Sequence, residues 1–351
     1  MRINKGNISL SRLKQLGFHL RRGRGHLPRY MVNRFKWHVF PRIRKVADFP
    51  DHVDIEISSA CDMKCPMCYT ITDAFKASVK KGLMDWDLYT KLVDECARNG
   101  VYSIRLSLRG EPFVHPRIID MIRYAKEKGI REVSTLTNGL KLNPEKFTQA
   151  LEAGLDWLTI SFDGLGETYE KIRRPAKFEE ALAKIREYKA IKDARQSVKP
   201  VIKIQSVWPA IKDDPEAFFS TFAPIADEVA SNPLIDYLHN DQEIEYEERF
   251  ECPVLYQRLV VGSDGRVLLC VNDEMGKHIV GDANAQSLKE VWHGPALMQA
   301  RADHMRHLGV AKYDACRECF LPRKTRAVPT VVGGTKVAME EYVNRPQEVG
   351  K

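Results

Sequence analysis

Apolar and polar positions follow two different rhythms along most of the chain. From residue 52, short runs rich in β-branched and aromatic residues are separated by longer charged stretches with helical spacing. These patterns predict strands over residues 53–57, 102–108, 131–136, 157–162 and 200–206, and helices near 86–99, 116–128, 143–153, 176–190 and 215–222. A weaker sixth strand falls at 227–230 or at 235–237. Because strands and helices alternate, we predict an α/β fold with a parallel sheet and right-handed crossovers.

The rhythm changes in the last third of the chain. Residues 256–261 and 266–271 flank a Gly-Ser-Asp-Gly turn at 262–265, which predicts a β-hairpin. A helix is expected near 288–306. The tail from residue 327 shows no clear periodicity, so we predict a loosely attached extension there.

Charge is distributed very unevenly over the 351 residues, which carry a formal net charge of +8. Residues 1–50 contain 13 Lys and Arg against a single acid, Asp48, whereas the rest of the chain contains 42 basic and 46 acidic side chains. Apolar residues between the basic ones suit a short amphipathic helix. We interpret this segment as a basic arm packed on the domain behind it, and contact with an anionic or membrane surface is the alternative. Because the remainder is net negative, nucleic acid is not an expected partner.

The composition is that of a globular protein, with 44% hydrophobic and 29% charged residues. No window approaches the roughly 18 apolar residues of a membrane span. The first residues also lack the apolar core and small-residue cleavage site of a secretory signal. We therefore predict a cytoplasmic protein.

Three cysteines follow the first predicted strand with the spacing C-x3-C-x2-C, namely Cys61, Cys65 and Cys68. Three thiolates this close together can hold three corners of an iron-sulfur cube and leave one iron open for chemistry. A zinc knuckle is the alternative, but it needs a fourth ligand at short spacing, and His52 and His115 do not complete one.

A second group of cysteines comprises Cys252, Cys270, Cys316 and Cys319. Four thiolates close a tetrahedral set completely, so this site is expected to serve electron transfer or structure rather than substrate binding. A four-thiolate zinc site is the alternative. Cys96 lies in a predicted helix, and we expect it to be a buried structural thiol.

The first cysteine loop resembles the signature of the radical S-adenosylmethionine (SAM) superfamily, and motifs at later strand ends extend the resemblance. They are Arg-Gly-Glu-Pro at 109–112, where the family carries a GGEP turn, Thr-Asn-Gly at 137–139, Ser-Phe-Asp-Gly at 161–164, and Tyr169-x3-Arg173 at a helix start. The first Gly of the GGEP turn is replaced by Arg109. The resemblance implies a partial (β/α)6 TIM-like radical SAM barrel, with its site at the carboxyl ends of the strands.

The same resemblance implies which residues bind the cofactor. The expected SAM-binding residues are Met67, Glu111, Asn138, Ser161, Arg173 and Gln205. Glu111 belongs to the turn that takes the SAM amino group, and Arg173 would pair with the SAM carboxylate as a fork donor. In this family the open iron chelates SAM, and one electron from the reduced cluster yields a 5′-deoxyadenosyl radical that abstracts a hydrogen atom.

The second cysteine group resembles the C-terminal SPASM/twitch extension of radical SAM proteins. A full SPASM domain uses more cysteines for two extra clusters, so the four present indicate the one-cluster, twitch-like form, a small β-hairpin plus helix domain. The spacing looks like that of the 2-deoxy-scyllo-inosamine dehydrogenases, which are aminocyclitol oxidases. The resemblance implies two 4Fe-4S clusters and SAM as cofactors.

These patterns divide the chain into four parts. They are a basic N-terminal arm at 1–50, a radical SAM core at 51–240, a SPASM/twitch auxiliary cluster domain at 241–325, and a C-terminal tail at 326–351.

The resemblance implies oxidation of a secondary alcohol of a carbohydrate, cyclitol or related polyol to a ketone, with electron transfer to the auxiliary cluster. A radical SAM epimerase acting on a sugar or aminoglycoside and a peptide-modifying maturase are the alternatives. Candidates for a base or hydroxyl-orienting residue are Arg109, His239, Asp241 and Arg258. The expected partners are the small-molecule substrate and an electron donor such as flavodoxin or ferredoxin.

Overall fold

The computed structural model describes residues 8–234, 244–344 and 347–349. Its strands are β1 (Ile8–Ser9), β2 (His52–Ile55), β3 (Ser103–Arg105), β4 (Glu132–Thr137), β5 (Trp157–Ser161), β6 (Val201–Val207), β7 (Glu228–Asn232), β8 (Arg258–Val261), β9 (Arg266–Leu268), β10 (Ile279–Asp282), β11 (Thr325–Val332) and β12 (Thr335–Tyr342).

The α-helices alternate with these strands over most of the chain. They are α1 (Arg12–Gly23), α2 (Leu27–Val39), α3 (Asp73–Ser78), α4 (Trp86–Arg98), α5 (Ile118–Glu127), α6 (Pro144–Glu152), α7 (Gly166–Ile172), α8 (Phe178–Ala194), α9 (Pro215–Phe222), α10 (Leu288–Trp292), α11 (Pro295–Met305), α12 (Gly309–Lys312) and α13 (Asp314–Glu318). Among the described residues, no helix combines the length and apolar character needed to cross a bilayer.

One sheet joins ten of the described strands in the order β1-β7-β6-β5-β4-β3-β2-β8-β9-β10. The neighbours from β2 to β7 run parallel, with helices in the connections between them. Six parallel strands with helical connections agree with the predicted partial (β/α)6 barrel. The predicted strand at 227–230 corresponds to β7, and the alternative at 235–237 lies outside the described residues.

The C-terminal hairpin continues the same sheet, because β8 pairs in parallel with β2 and then antiparallel with β9. A third strand, β10, pairs with β9 and was not predicted. The predicted helix at 288–306 is two helices, α10 and α11. Gly294 caps α11 and Pro295 begins it, and a proline lacks the N–H that a continuous helix needs.

The basic arm folds back on the amino-terminal ends of the barrel strands. On α1, Arg22 donates from Nε and Nη2 to the Glu132 carboxylate at the start of β4, with both side chains buried. Phe18 packs edge-on against Trp157 at the start of β5. The structure therefore confirms the prediction that the arm packs on the domain behind it.

The C-terminal tail is not a loose extension, and that prediction is wrong. β11 and β12 form a hairpin, and Glu341 on β12 accepts a hydrogen bond from Trp208 Nε1 at 3.1 Å. Most residues of β11 are partly exposed on both faces, and Pro329 lies within it. Neither face is consistently apolar, so the strand has no period that the sequence could reveal.

Candidate functional site

The first cysteine loop lies beyond the carboxyl end of β2. Cys65 is buried and Cys61 and Cys68 are half-buried, and all three thiols lie close enough to act on one another electrostatically. Burial raises the pKa of each thiol above its usual value. The Thr70 hydroxyl oxygen lies 3.0 Å from Cys68 Sγ.

Gly110 lets the loop after β3 approach the first cysteine loop very closely. A Cβ at this position would lie 2.4 Å from the Ala60 carbonyl oxygen and 2.5 Å from that of Ser58. The next residue, Glu111, donates its backbone N–H to Ala60 O at 2.8 Å. This Gly is therefore required by the contact between two loops, because no other residue lacks a Cβ.

The Glu111 carboxylate is buried and holds the turn after β4. It accepts hydrogen bonds from Thr137 Oγ1 and the Asn138 N–H, both at 2.7 Å, and from the Phe113 N–H at 3.0 Å. Burial raises the pKa of Glu111 to about 7 despite these donors. The side chain thus positions the turn rather than pointing freely into the site.

Asn138 connects that turn to the first cysteine loop. Its Nδ2 donates to Asp62 Oδ1 at 2.8 Å and lies 3.7 Å from Cys61 Sγ. Within the described residues, the other Asp62 oxygen is buried without a hydrogen-bond partner. A buried polar atom without a partner costs free energy, which fits a site completed by a bound group.

Arg173 follows α7 instead of lying at a helix start, which corrects the predicted location. Its Nη2 pairs with Asp163 Oδ2 at 2.5 Å, and its Nη1 lies 3.9 Å from Cys65 Sγ. Burial alone would lower the pKa of Arg173, but the adjacent Asp163 outweighs it and raises the pKa. In the described part of the chain, its buried Nε has no hydrogen-bond partner, so one edge of the guanidinium is available to a carboxylate.

The remaining predicted SAM residues also lie around this end of the barrel. Ser161 is the last residue of β5 and pairs in register with Gln205 on β6. Met67 is half-buried within the first cysteine loop and packs against the core. Together these placements bring the predicted residues to one end of the sheet.

The four cysteines of the second group are all buried and lie near one another. Cys252, Cys270, Cys316 and Cys319 interact electrostatically with one another, and burial raises the pKa of Cys252 and of Cys319 to about 12. His304 Nε2 lies 3.5 Å from Cys316 Sγ. Four neighbouring thiols, closed off from solvent, suit a cluster that exchanges electrons without binding substrate.

One loop, at residues 272–275, connects the two cysteine groups. At one end, Asn272 Nδ2 donates to Cys319 Sγ at 3.1 Å. At the other end, Met275 packs against the small apolar cluster that contains Tyr69 and Phe75, just beyond Cys68. We call this segment the bridging loop.

Glu274 of the bridging loop lies at the first cysteine loop. Burial raises the pKa of Tyr69 well above its usual value, and the charge of Glu274 adds to that shift. Burial is the largest cause of the raised pKa of Cys68, and the charge of Glu274 adds to that shift. Burial is also the largest cause of the lowered pKa of Arg105, and the charge of Glu274 opposes that shift. The sequence gives no periodic signal for this residue, and the prediction missed it.

Two proposed bases are engaged elsewhere. Arg109 donates to both oxygens of Glu56 in a fully buried pair, and Glu56 also accepts the Ser263 N–H at 3.0 Å. Arg258 pairs with Asp54 at 3.0 Å at the amino-terminal end of β8, away from the cysteine loops. Neither arginine is placed to act as a base, and the other two candidates, His239 and Asp241, lie outside the described residues.

Further contributors were not predicted, because their role depends on pairing in three dimensions. Asp163 appears in the sequence as part of a turn motif, yet it is fully buried and holds Arg173. Asn272 and His304 each contact a cysteine sulfur of the second group, but neither belongs to the spacing pattern of the cysteines.

Comparison with protein-family models agrees with this site. Residues 55–198 match the radical SAM superfamily, and residues 252–320 match SPASM, an iron-sulfur cluster-binding domain. Among curated relatives, the tungsten-containing aldehyde ferredoxin oxidoreductase cofactor-modifying protein of Pyrococcus furiosus is 33% identical over 143 residues, covering 36% of this chain and 38% of that protein. A GTP 3′,8-cyclase of Limosilactobacillus fermentum is 33% identical over 134 residues, 38% of this chain and 40% of the cyclase.

Solved structures show that the likeness includes both parts of the fold. BtrN, solved in complex with AdoMet and 2-DOIA, has a TM-score of 0.53 at 18% identity and covers 78% of this chain and 93% of BtrN. Streptococcus suis SuiB bound to S-adenosylmethionine has a TM-score of 0.55 at 14% identity, with 78% and 73% coverage. The anSMEcpe structure with bound AdoMet has a TM-score of 0.55 at 15% identity, with 77% and 83% coverage. The chain therefore contains a radical SAM domain followed by a C-terminal SPASM domain, and the cofactors of these domains are 4Fe-4S clusters and SAM.

Proposed function

We propose that this enzyme oxidises a secondary alcohol of a carbohydrate, cyclitol or related polyol to a ketone, with the second cysteine group holding the electron acceptor. The observation that carries the proposal is the bridging loop, which contacts Cys319 Sγ at one end and packs at the other against the apolar cluster of Tyr69 and Phe75, just after Cys68 in the chain. A dehydrogenation needs an acceptor next to the site where hydrogen is removed. The bridging loop is four residues long, so an acceptor held by the second cysteine group would be close to the first cysteine loop.

The reaction balances with the groups that the chain can hold. Cys61, Cys65 and Cys68 would hold the first cluster, which with bound SAM would supply a radical able to take a hydrogen atom from the carbon bearing the hydroxyl. The hydroxyl proton must pass to a base, and the remaining electron must leave the substrate. The carbon thereby becomes a ketone, and the substrate has lost two hydrogen atoms.

The chain's own residues orient SAM and shield the site. Glu111 and Asn138 hold the turn beside Cys61, and Arg173, fixed by Asp163, offers its unpaired Nε–H to the SAM carboxylate. A fork donor held by a buried counter-ion is already oriented before the ligand arrives, which reduces the entropy cost of binding.

We assign Glu274 as the group that accepts the hydroxyl proton. Its carboxylate is close enough to act electrostatically on Tyr69 and Cys68 of the first cysteine loop, and it belongs to the loop that contacts Cys319 of the second group. Glu274→Gln should abolish the acidic limb of the pH profile for ketone formation while SAM cleavage without substrate continues. Glu127→Gln, which changes an exposed carboxylate on α5, is the matched control. An unaltered pH profile in Glu274→Gln would refute this assignment.

The comparisons support the reaction class more than the substrate. BtrN was solved with 2-DOIA and shares the fold, whereas GTP 3′,8-cyclases are the more frequent sequence relatives and SuiB was solved bound to the precursor peptide SuiA. We propose a polyol because the four-cysteine group indicates a single auxiliary cluster. We further propose a flavodoxin or ferredoxin as electron donor and a cytoplasmic location.

A substrate panel tests the proposal. The anaerobically reconstituted, reduced enzyme is incubated with polyols, nucleotide sugars and peptides, and substrate-dependent 5′-deoxyadenosine and the product mass are measured. We expect a polyol to respond and to lose two mass units, the mass of two hydrogen atoms. A product of unchanged mass in H2O that gains one deuterium in D2O would indicate an epimerase instead, and a response to peptides alone would indicate a maturase.

A further inference from the structure

The two arm helices expose an apolar surface that the barrel does not cover. On α1, Leu13, Leu16 and Leu20 are 83%, 59% and 56% exposed, and their spacing places them on one side of the helix. Exposed apolar residues are ordinary when scattered, but a contiguous patch of large side chains marks an interaction site.

The second arm helix extends that surface. Leu27, Met31 and Phe35 recur every four residues along α2 and are 45%, 60% and 58% exposed. Leu20 of α1 and Leu27 of α2 line one surface depression, so the exposed sides of the two helices meet. We call these six residues the arm face.

Three exposed arginines of the arm have no carboxylate partner among the described residues. The described arm residues 8–47 contain no Asp or Glu. Arg12, Arg24 and Arg29 are exposed, and no carboxylate in the described part of the chain pairs with them. Other arm cations instead form ion pairs with carboxylates of the barrel, as Arg22 does with Glu132.

We propose that the arm face docks on the surface of an anionic phospholipid bilayer. Large apolar side chains on one side of a helix, with arginines beside them, are the chemistry of an interfacial helix that lies in the headgroup region. Each cation near an anionic bilayer adds to the electrostatic attraction. Nucleic acid would match the arginines but not six exposed Leu, Met and Phe side chains.

Docking leaves the catalytic end of the barrel in water. The arm covers the amino-terminal ends of the strands, whereas the cysteine loops lie beyond the carboxyl ends. A bound bilayer would therefore contact the end of the barrel opposite the cysteine loops. Docking localises the enzyme, and turnover of a water-soluble substrate does not require it.

Vesicle binding tests the proposal directly. The full chain, with both clusters reconstituted anaerobically, is sedimented with vesicles of phosphatidylcholine alone or with one-third phosphatidylglycerol. We expect partitioning at least about tenfold stronger to the anionic vesicles, weakening as salt rises. Absence of binding to either vesicle would overturn the proposal.

Two sets of substitutions identify the surface responsible. Leu13→Gln/Leu16→Gln/Leu20→Gln and Arg12→Gln/Arg24→Gln/Arg29→Gln should each weaken partitioning by about tenfold or more. The matched controls are Met298→Gln/Met305→Gln/Leu308→Gln, which changes exposed apolar residues elsewhere, and Arg98→Gln/Arg186→Gln/Arg306→Gln, which removes the same charge. Binding that survives both arm variants, or is lost equally in the controls, would contradict the proposal.

Light scattering separates a bilayer from a second copy of the chain. The proposal expects no change in molar mass between the wild type and the triple Leu variant. A wild-type dimer that this variant dissociates would overturn it in favour of self-association. Thermal unfolding and SAM cleavage should match the wild type in all four variants, because every altered side chain is exposed.

Discussion

Arg109 shows how a departure from a family motif is accommodated at one residue. Where the family carries Gly, this chain places an arginine, and Glu56 on the segment after β2 neutralises it. The pair also holds Ser263 in the turn between β8 and β9. The departure therefore connects the barrel to the SPASM hairpin instead of adding a cation to the site.

Removing that arginine should be costly. Arg109→Met leaves the Glu56 carboxylate buried without its partner, which we expect to lower the free energy of unfolding by about 3 to 5 kcal/mol. Denaturant unfolding measures the loss. Glu56→Gln in the same chain should restore much of it, because no charge is then stranded, and a double variant as unstable as Arg109→Met would contradict this account.

Asp163 offers a second prediction at the same scale. Asp163→Asn keeps the acceptor for the Val207 N–H but no longer neutralises Arg173. We expect the Kd for SAM to rise about tenfold, as for loss of one charged hydrogen bond, and the free energy of unfolding to fall by about 3 kcal/mol. Glu167→Gln, in an exposed pair with Lys171, is the control and should change stability by less than about 1 kcal/mol. Unchanged SAM affinity in Asp163→Asn would show that Arg173 does not hold the ligand.

The contact between two loops is the feature that matters most among the elements. Gly110→Ala would force the first cysteine loop away from the loop after β3, because the new Cβ meets backbone oxygens that cannot rotate aside. We expect it to lose the iron of the first cluster and SAM cleavage with it. Gly82→Ala is the matched control, since a Cβ there has no atom within 4 Å. Full iron content in Gly110→Ala would contradict the proposed role of the contact.

The packing of α1 on α2 should respond to pH. Burial, followed by the nearby Arg22, lowers the pKa of His19 to about 4, so the folded arm favours the neutral imidazole. A base with a lowered pKa contributes stability above its unfolded pKa of about 6.5 and loses it as pH falls toward 4. Because His19 is only partly buried, we expect its titration to lower the free energy of unfolding by about 1 kcal/mol between pH 7.5 and pH 5.5.

Comparing variants isolates this histidine from other titrating groups. His19→Gln should flatten that part of the pH dependence, and His307→Asn, which alters an exposed histidine, should not. Identical pH profiles for the wild type and His19→Gln would show that the imidazole does not couple to folding.

At the scale of the whole molecule, much of the barrel could be predicted from sequence. The strands from β2 to β7 are buried runs separated by amphipathic helices, so their period is strong, and the cysteine spacings predict which thiols belong to each group. The remaining parts depend on long-range contacts. The β11–β12 hairpin has no apolar face, the Asp163–Arg173 and Glu56–Arg109 pairs join distant segments, and the bridging loop has no local signature.

We propose that the two cysteine groups, joined by one short loop, let the molecule remove a hydrogen atom and then an electron from its substrate. The central claim is that the second group receives that electron. The most direct test compares ketone and 5′-deoxyadenosine formed by the wild type and by a Cys316→Ala/Cys319→Ala variant on the responding substrate. We predict equal amounts of both products in the wild type, and 5′-deoxyadenosine without ketone in the variant. Ketone formation by the variant at the wild-type yield would contradict the account.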